Sequence, residues 1–193
     1  MSQQVVAELQ REFPQYILRV HADCGDETVI LRRQGLLPII DFLRAGMEPA
    51  SGRMDMLVGL CGNEYPERAD SFEAVYHLLS SETWKRLRLR VPVSKSRPVL
   101  PSLSALYKSA NWYERETWDM FGIQFEGHPH LRRLLNPWRK QGHLLRKQVR
   151  DVQTMGRDET AVESLGIRSH VRSNGSETVV EHYASSHPAT HGL

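Results

Sequence analysis

The hydrophobic positions of this chain change period several times, and each change predicts an element. Val5, Val6, Leu9 and Phe13 recur at helical spacing, and Pro14 ends that helix because it cannot donate a backbone hydrogen bond. Ile17, Arg19 and His21 then alternate with Leu18 and Val20. Cys24-Gly-Asp-Glu turns the chain into Thr28-Val-Ile-Leu, which gives a strand, a turn and a second strand. Residues 36–43 gather Leu, Ile and Phe on one side and predict a helix ending near Gly46. Residues 54–61 predict a buried strand closed by Gly62-Asn63. Residues 72–79 and 87–93 are two further β-rich runs, separated by Ser80-Ser81-Glu82-Thr83. Helix, two strands, helix, three strands is the order of an α+β fold, a mixed sheet with helices packed on one face.

Inside this pattern a few polar residues ask for an explanation. Tyr76 and His77 sit within a strand, where a structural histidine is the expectation. Leu87-Arg-Leu-Arg-Val alternates aliphatic with cationic residues, so Arg86, Arg88 and Arg90 share a face turned to solvent or to a partner. Further on, Asn111 is a good N-cap, and Glu114 three residues later completes a capping box. Glu114 and Glu116 suit the positive end of the helix dipole, and Gly122 suits the left-handed residue that closes a helix. The predicted helix, 112–121, is too short to be stable alone, so it must depend on packing through Trp112, Tyr113, Trp118, Met120 and Phe121.

That helix places Arg115 four residues before Asp119, and Glu116 three before it. Two close carboxylates fit general acid–base chemistry, or they fit ion pairs with Arg132 and Arg133 beyond Pro129. With no nucleophile, metal set or phosphate loop nearby, the ion-pair reading is preferred. His128, His130 and His143 invite a metal site, but no Cys or carboxylate stands at ligand spacing beside them. His128-Pro129 is better explained as a rigid extended bend.

Composition narrows the class. With 193 residues, 40% hydrophobic and 25% charged, the chain has the make-up of a globular domain with an appendage. A net charge of +2 implies no polyanion partner, and Cys24 and Cys61 form no C-x-x-C pair, which suits a reduced compartment and structural thiols. No apolar run approaches the roughly 20 residues of a bilayer span, and the first residues carry acids without an apolar signal core. Membrane association is therefore expected only through other proteins. Residues 132–157 hold eight Lys/Arg against one Asp, which predicts an extended basic arm held by other chains. The alternative, a nucleic-acid-binding module, rests on that segment alone. Beyond it, Thr160 and Glu163 cap a short helix ended by Gly166, Ser173-Asn-Gly-Ser makes a turn, and 177–183 forms a strand.

The stretch Glu114-Arg115-Glu116-x-x-Asp119-x-x-Gly122-Ile-x-Phe-x-Gly127-His128-Pro129-x-Leu-x-Arg133 closely resembles the signature of the C subunit of the proton-pumping NADH:quinone oxidoreductase, respiratory complex I. Gly142-His143-Leu-Leu-Arg146-Lys147 resembles the family's tail, with Leu144 where Pro is usual and Gln148 where Asp is usual. The last residues, His187-Pro-Ala-Thr-His191-Gly, resemble the opening of the D subunit of the same enzyme, with Ala184, Ser185 and Ser186 in place of its Gly, Pro and Gln/Asn. This order implies a fused C/D chain, with a C-subunit-like domain at 1–135, a basic arm and linker at 136–176, and the start of a D-subunit-like segment at 177–193. The resemblance implies a non-catalytic member of the peripheral arm, on the cytoplasmic face of the membrane, buttressing the D-like and iron–sulfur subunits. NADH, FMN, iron–sulfur clusters and quinone would belong to the complex, with none bound by this chain. His191 matches a histidine that lines the quinone pocket in the D subunit. Glu114, Arg115, Glu116, Asp119, Gly122, Gly127, His128, Pro129, Arg132, Arg133, Arg146 and Lys147 would be the signature and interface residues. The alternative is the equivalent subunit of a membrane-bound nickel–iron hydrogenase or formate hydrogenlyase.

Overall fold

A computed structural model describes residues 3–23, 25–45, 52–68, 71–138, 142–147, 168–174 and 177–183. The chain divides into two compact units, Met1–Arg150 and Asp151–Leu193. In the first, α1 (Gln3–Glu12) leads into β1 (Ile17–Asp23) and β2 (Asp26–Leu31). Then come α2 (Leu36–Ala45), β3 (Met56–Glu64), β4 (Phe72–Leu79) and β5 (Arg86–Val93). This is the predicted order, helix, two strands, helix, three strands. A short β6 (Val99–Pro101), α3 (Ala110–Phe121) and β7 (Gln124–Glu126) follow.

The five long strands form one mixed sheet in the order β1-β2-β5-β4-β3. Only β2 and β5 run parallel, Thr28 to Ile30 against Arg88 to Arg90. β5 is therefore central, and its alternation sets the two faces. Leu87, Leu89, Val91 and Val93 turn inward onto α1 and α2, whose Val5, Leu9, Leu36, Ile39, Ile40 and Leu43 are buried with them. Pro92 is tolerated in this central strand because its partner on the β2 side ends at Arg90.

The cationic face of β5 differs from expectation. Arg90 lies 2.6 Å from Glu73 of β4, and Arg88 lies 3.5 Å from Asp26 of β2. These side chains are half-buried and paired across strands, so the sheet's second face is largely neutralised by its own carboxylates.

β3 also departs from the reading of a buried strand ending before Gly62. It continues to Glu64 with alternating burial, and Met56, Val58 and Cys61 are exposed. Gly62 lies inside the strand because the Phe121 ring packs where its side chain would be; an added Cβ would come within 2.6 Å of Phe121 Cδ2. β3 is an edge strand, and α3 with the loop before it covers that edge. Tyr107 Oη donates to Met54 O at 2.7 Å, Ser109 Oγ to Leu57 O at 2.9 Å, and Tyr113 Oη to Val58 O at 3.1 Å. Three hydroxyls thus take up carbonyls at or beside an edge that would otherwise invite another strand.

In the second unit, β8 (Arg168–Asn174) and β9 (Glu177–Tyr183) form an antiparallel pair with Asn174 opposite Glu177. The strand expected at 177–183 is present, but it does not lack a partner: 168–174, taken as part of a polar linker, supplies one. The helix expected between Thr160 and Gly166, and Cys24, lie outside the described residues.

Tyr107 is buried in the core and its hydroxyl is the donor to Met54 O. Tyr107→Phe should lower stability by about 1–2 kcal/mol, because a buried carbonyl loses its donor with little change in packing. Urea denaturation of the two proteins measures the difference.

Candidate functional site

The signature residues converge on α3 and on the segment that returns beneath it. Helix α3 begins one residue earlier than predicted, and its N-cap is Ser109, with no capping hydrogen bond from that side chain. The capping box is not formed. Glu114 is fully buried, and instead of reaching back to the helix start it accepts from Ser102 Oγ at 2.6 Å and Leu103 N–H at 2.6 Å. Its carboxylate thus ties the 102–107 loop to the helix, a tertiary use of a residue that local rules assigned to the cap. Burial pushes this carboxyl up to about 7, against the opposing pull of the Ser102 and Leu103 hydrogen bonds. Tyr76, fully buried in β4, feels the Glu114 charge, and its phenol is pushed up chiefly by burial and then by that carboxylate.

Asp119 is the centre of the second cluster. It too is fully buried, yet it is surrounded by donors. Arg133 Nη1 reaches Oδ1 at 2.7 Å, and Asn136 Nδ2 reaches the same oxygen at 3.0 Å. The backbone N–H groups of Leu134, Leu135 and Asn136 all point at Oδ2, at 3.0, 2.9 and 2.9 Å. Burial alone would raise this carboxyl; the Asn136 backbone and amide, Arg133 and Leu135 outweigh it and hold Asp119 well below the usual carboxylate range. The expected ion pair between Asp119 and the Arg132–Arg133 pair is therefore formed, through Arg133.

Arg115 does not use its i,i+4 neighbour Asp119. Its guanidinium donates to the carbonyls of Arg132 (3.3 Å) and Arg133 (3.2 Å) and lies over the Trp112 ring. Asp119 and Arg115 instead grip the same returning segment, one through its N–H groups and the other through its carbonyls. Glu116 and Arg132 are exposed, and neither makes an ion pair among the described residues.

The helix ends as predicted. Gly122 has φ 76°, and its N–H donates to Trp118 O at 2.7 Å. A side chain there would also overlap Arg146 and the His143 ring. Arg146 Nε donates to Phe121 O at 2.6 Å, His143 Nδ1 meets Asp119 O at 3.1 Å, and Lys147 N–H donates to Glu64 Oε2 at 2.5 Å. Cations at a helix C-terminus are favoured by the dipole, and here they also cover its last carbonyls. The basic arm was expected to be held by other chains; its described parts, 132–138 and 142–147, bind back to their own domain. The reason is that buried acceptors at Asp119, Phe121 and Glu64 offset the repulsion of like charges.

His128 is fixed through both ring nitrogens. Nε2 lies 3.0 Å from Asn111 O, and Nδ1 accepts from His130 N–H at 3.0 Å, so the proton belongs on Nε2. Gly127, with φ 84°, and the exposed Pro129 shape the bend as the sequence suggested. These bonds leave the His128 ring no lone pair for a metal. His191 lies outside the described residues.

Asn136 and Glu64 belong to these clusters and were not singled out from the sequence. Asn136 carried a signal, since Asn-Pro marks a turn whose N–H groups need an acceptor. Glu64, at the end of a strand, carried none.

Together these contacts define a class of domain in which the charged signature closes the fold onto itself. Residues 29–154 match the family model described as the respiratory-chain NADH dehydrogenase 30 Kd subunit. The chain is 43% identical over 157 residues to the C subunit of NADH-quinone oxidoreductase from Roseiflexus castenholzii, covering 81% of this chain and 86% of that protein. It is 42% identical over 123 residues to the corresponding protein of Rhizobium rhizogenes, covering 64% of this chain and 60% of that protein's length. Among solved structures, a trypsin-resistant fragment of Nqo5 matches with TM-score 0.56 and 32% identity, covering 68% of this chain and all of that one. A chain of an archaeal membrane-bound sulfane sulfur reductase shares the fold, with TM-score 0.60 at 16% identity over 92% of this chain. The chain belongs to the respiratory-chain NADH dehydrogenase 30 kDa subunit family.

Two tests follow from this geometry. Gly122→Ala should cost about 2 kcal/mol or more, since it combines left-handed strain of roughly 1 kcal/mol with displacement of Arg146 and His143; thermal unfolding reads the loss, and unchanged stability would refute the close approach. Glu114 tests the pH dependence. A carboxyl raised from 4.5 to about 7 stabilises fully below its unfolded value, and that contribution disappears as pH rises through 7. Parent stability should therefore fall between pH 5 and 8 more steeply than that of Glu114→Gln, measured by denaturation at both pH values.

Proposed function

We propose that the chain serves as the C subunit of a proton-translocating NADH:quinone oxidoreductase, as a non-catalytic scaffold in the peripheral arm. The observation that supports this most directly is the use made of the family signature. Glu114, Arg115, Asp119, Arg133 and Arg146 all bind the chain to itself, at loops and helix ends. None is left in a pocket with a neighbour suited to proton transfer or nucleophilic attack. The role is then positional: a rigid body that holds neighbouring subunits where electron transfer and quinone reduction need fixed distances. NADH, FMN, iron–sulfur clusters and quinone belong to those neighbours.

The signature residues that stay exposed, Glu116, Pro129 and Arg132, are the candidates for contact with a D-like or iron–sulfur subunit. The segment 177–193 is the start of a D-like region, with His191 beside the quinone headgroup in the assembled enzyme. Attachment to the cytoplasmic face of the membrane is then indirect. Among the described residues no helix is long and apolar enough to cross a bilayer.

The test is to tag the chain in its host and purify it from membranes in mild detergent. The preparation should carry flavin and iron absorbance and reduce quinone with NADH, while the chain expressed alone should do neither. Co-purification with a nickel-ligating large subunit and no NADH-oxidising partner would favour the hydrogenase reading and overturn this one.

A further inference from the structure

One region of the first unit is not explained by its own stability. Among the described residues Trp84 is the single non-glycine with positive φ, at 56°. It occupies the turn between β4 and β5, where its N–H donates to Ser80 O at 2.9 Å and Ser80 N–H donates to Lys85 O at 3.0 Å. Turns of this kind favour Gly or Asn at the left-handed position, because a large side chain crowds the backbone there. The indole is 76% exposed, so core burial in this chain does not offset the strain. A strained backbone that presents an aromatic side chain to water is a feature of interfaces, where Trp is enriched among the residues that dominate binding.

The same end of the sheet carries a cleft of about 420 Å³ whose lining includes His77, Arg86, Arg88, Asp26, Val58 and Gly59. Register places these residues side by side: Gly59 opposite His77, His77 opposite Arg88, and Leu79 opposite both Met56 and Arg86. Gly59 leaves the floor open, with only the His77 side chain within 4 Å of where a Cβ would stand. Val58 and Met56 are 42% and 45% exposed and supply an apolar border. Of the charges lining the cleft, two guanidiniums face one carboxylate, Asp26, which lies 3.5 Å from Arg88. Burial and the nearby Arg88 hold His77 below its ordinary value, so it adds no charge at neutral pH. The cleft is left net positive beside an exposed indole.

We propose that the Trp84 turn and the Arg86–Arg88–His77 cleft form a docking surface for a carboxylate-bearing, partly apolar segment of another subunit of the complex. The inference rests on the functional reading above and adds the place and the chemistry of one contact. The charge balance selects an acidic partner, and Trp84, Met56 and Val58 select one with apolar side chains beside the acids.

The experiment uses the assembled complex. A photo-reactive benzoylphenylalanine in place of Trp84 should cross-link to a peptide that contains Asp or Glu and comes from another subunit. Trp84→Gly and Arg86→Glu should each reduce the chain retained in purified complex by about tenfold, the effect expected of an interface anchor. In the free chain Trp84→Gly should raise the denaturation midpoint, because glycine relieves the left-handed strain. A fall in that midpoint would make Trp84 a residue of internal stability and overturn the proposal. So would full retention of both variants, or cross-links confined to the same chain, a second copy, nucleic acid or lipid. If the parent itself does not co-purify with a complex, the functional reading fails and this inference with it; if the parent assembles and the variants assemble equally well, only the docking surface is lost.

Discussion

A carboxylate taken fully out of water must find donors, and in this protein the search for them by Asp119 organises the second half of the domain. Its two oxygens collect one guanidinium, one amide and three consecutive backbone N–H groups, all from residues 133–136. Three successive N–H groups can converge on one oxygen only if the chain curls around it, so the conformation of the returning segment is dictated by the acid it encloses. Arg115, one helical turn earlier, holds the carbonyls of the same segment. Once that segment is pinned, His143 and Arg146 reach the last carbonyls of α3 and close over Gly122. Removing a single partner from such a buried pair typically costs several kcal/mol, because the other charge is left without water or counter-ion.

Glu114 and Asp119 stand on the same helix, and both are fully buried, yet their environments drive them in opposite directions. Glu114 has two hydrogen bonds and no cation, so desolvation prevails and the carboxyl is held near neutrality. Asp119 has enough donors to keep its charge well below the usual range. Burial therefore does not decide the charge state; the number and kind of donors do. The pair gives the domain two opposed responses to pH, with Asp119 favouring the folded state above its unfolded value and Glu114 favouring it at lower pH.

The sheet shows a comparable division of labour between its edges and faces. β3 would be an open edge, and hydroxyls of Tyr107, Ser109 and Tyr113 occupy carbonyls along it, so α3 serves as a cover as well as a signature-bearing element. The arginines of β5 are matched by Glu73 and Asp26 on the neighbouring strands. A domain closed in this way, with its charges paired internally, is suited to act as a rigid spacer between larger partners. The regions that escape closure, above all the Trp84 turn, are where contact with those partners is best sought.

The sequence by itself determined the elements whose signals are local. Periodicity placed α1, α2 and the five long strands, because burial on one side imposes a period of 3.6 or 2 on the chain. Gly122 marked the end of α3, since its left-handed backbone is one that a residue without a side chain adopts most readily. The residues of the signature were legible as well, and so was the ion pair to the arginine pair beyond Pro129. What the sequence did not contain was the use of those residues across distance. Glu114 had the spacing of a capping box and Arg115 the spacing of a partner for Asp119, yet each turned to a loop that local rules cannot see. The short β6–β7 pair and the β8 strand were missed because three residues, or a run rich in polar ones, carry no usable period. The basic arm looked repelled from its own domain because a charge count records the cations and leaves out the buried acceptors. Only the folded chain brings Asp119, Phe121 O and Glu64 to where Arg133, Arg146 and the Lys147 backbone can reach them. The tertiary structure decided those pairings because a buried polar group takes the donor that geometry supplies, however far away it lies in sequence.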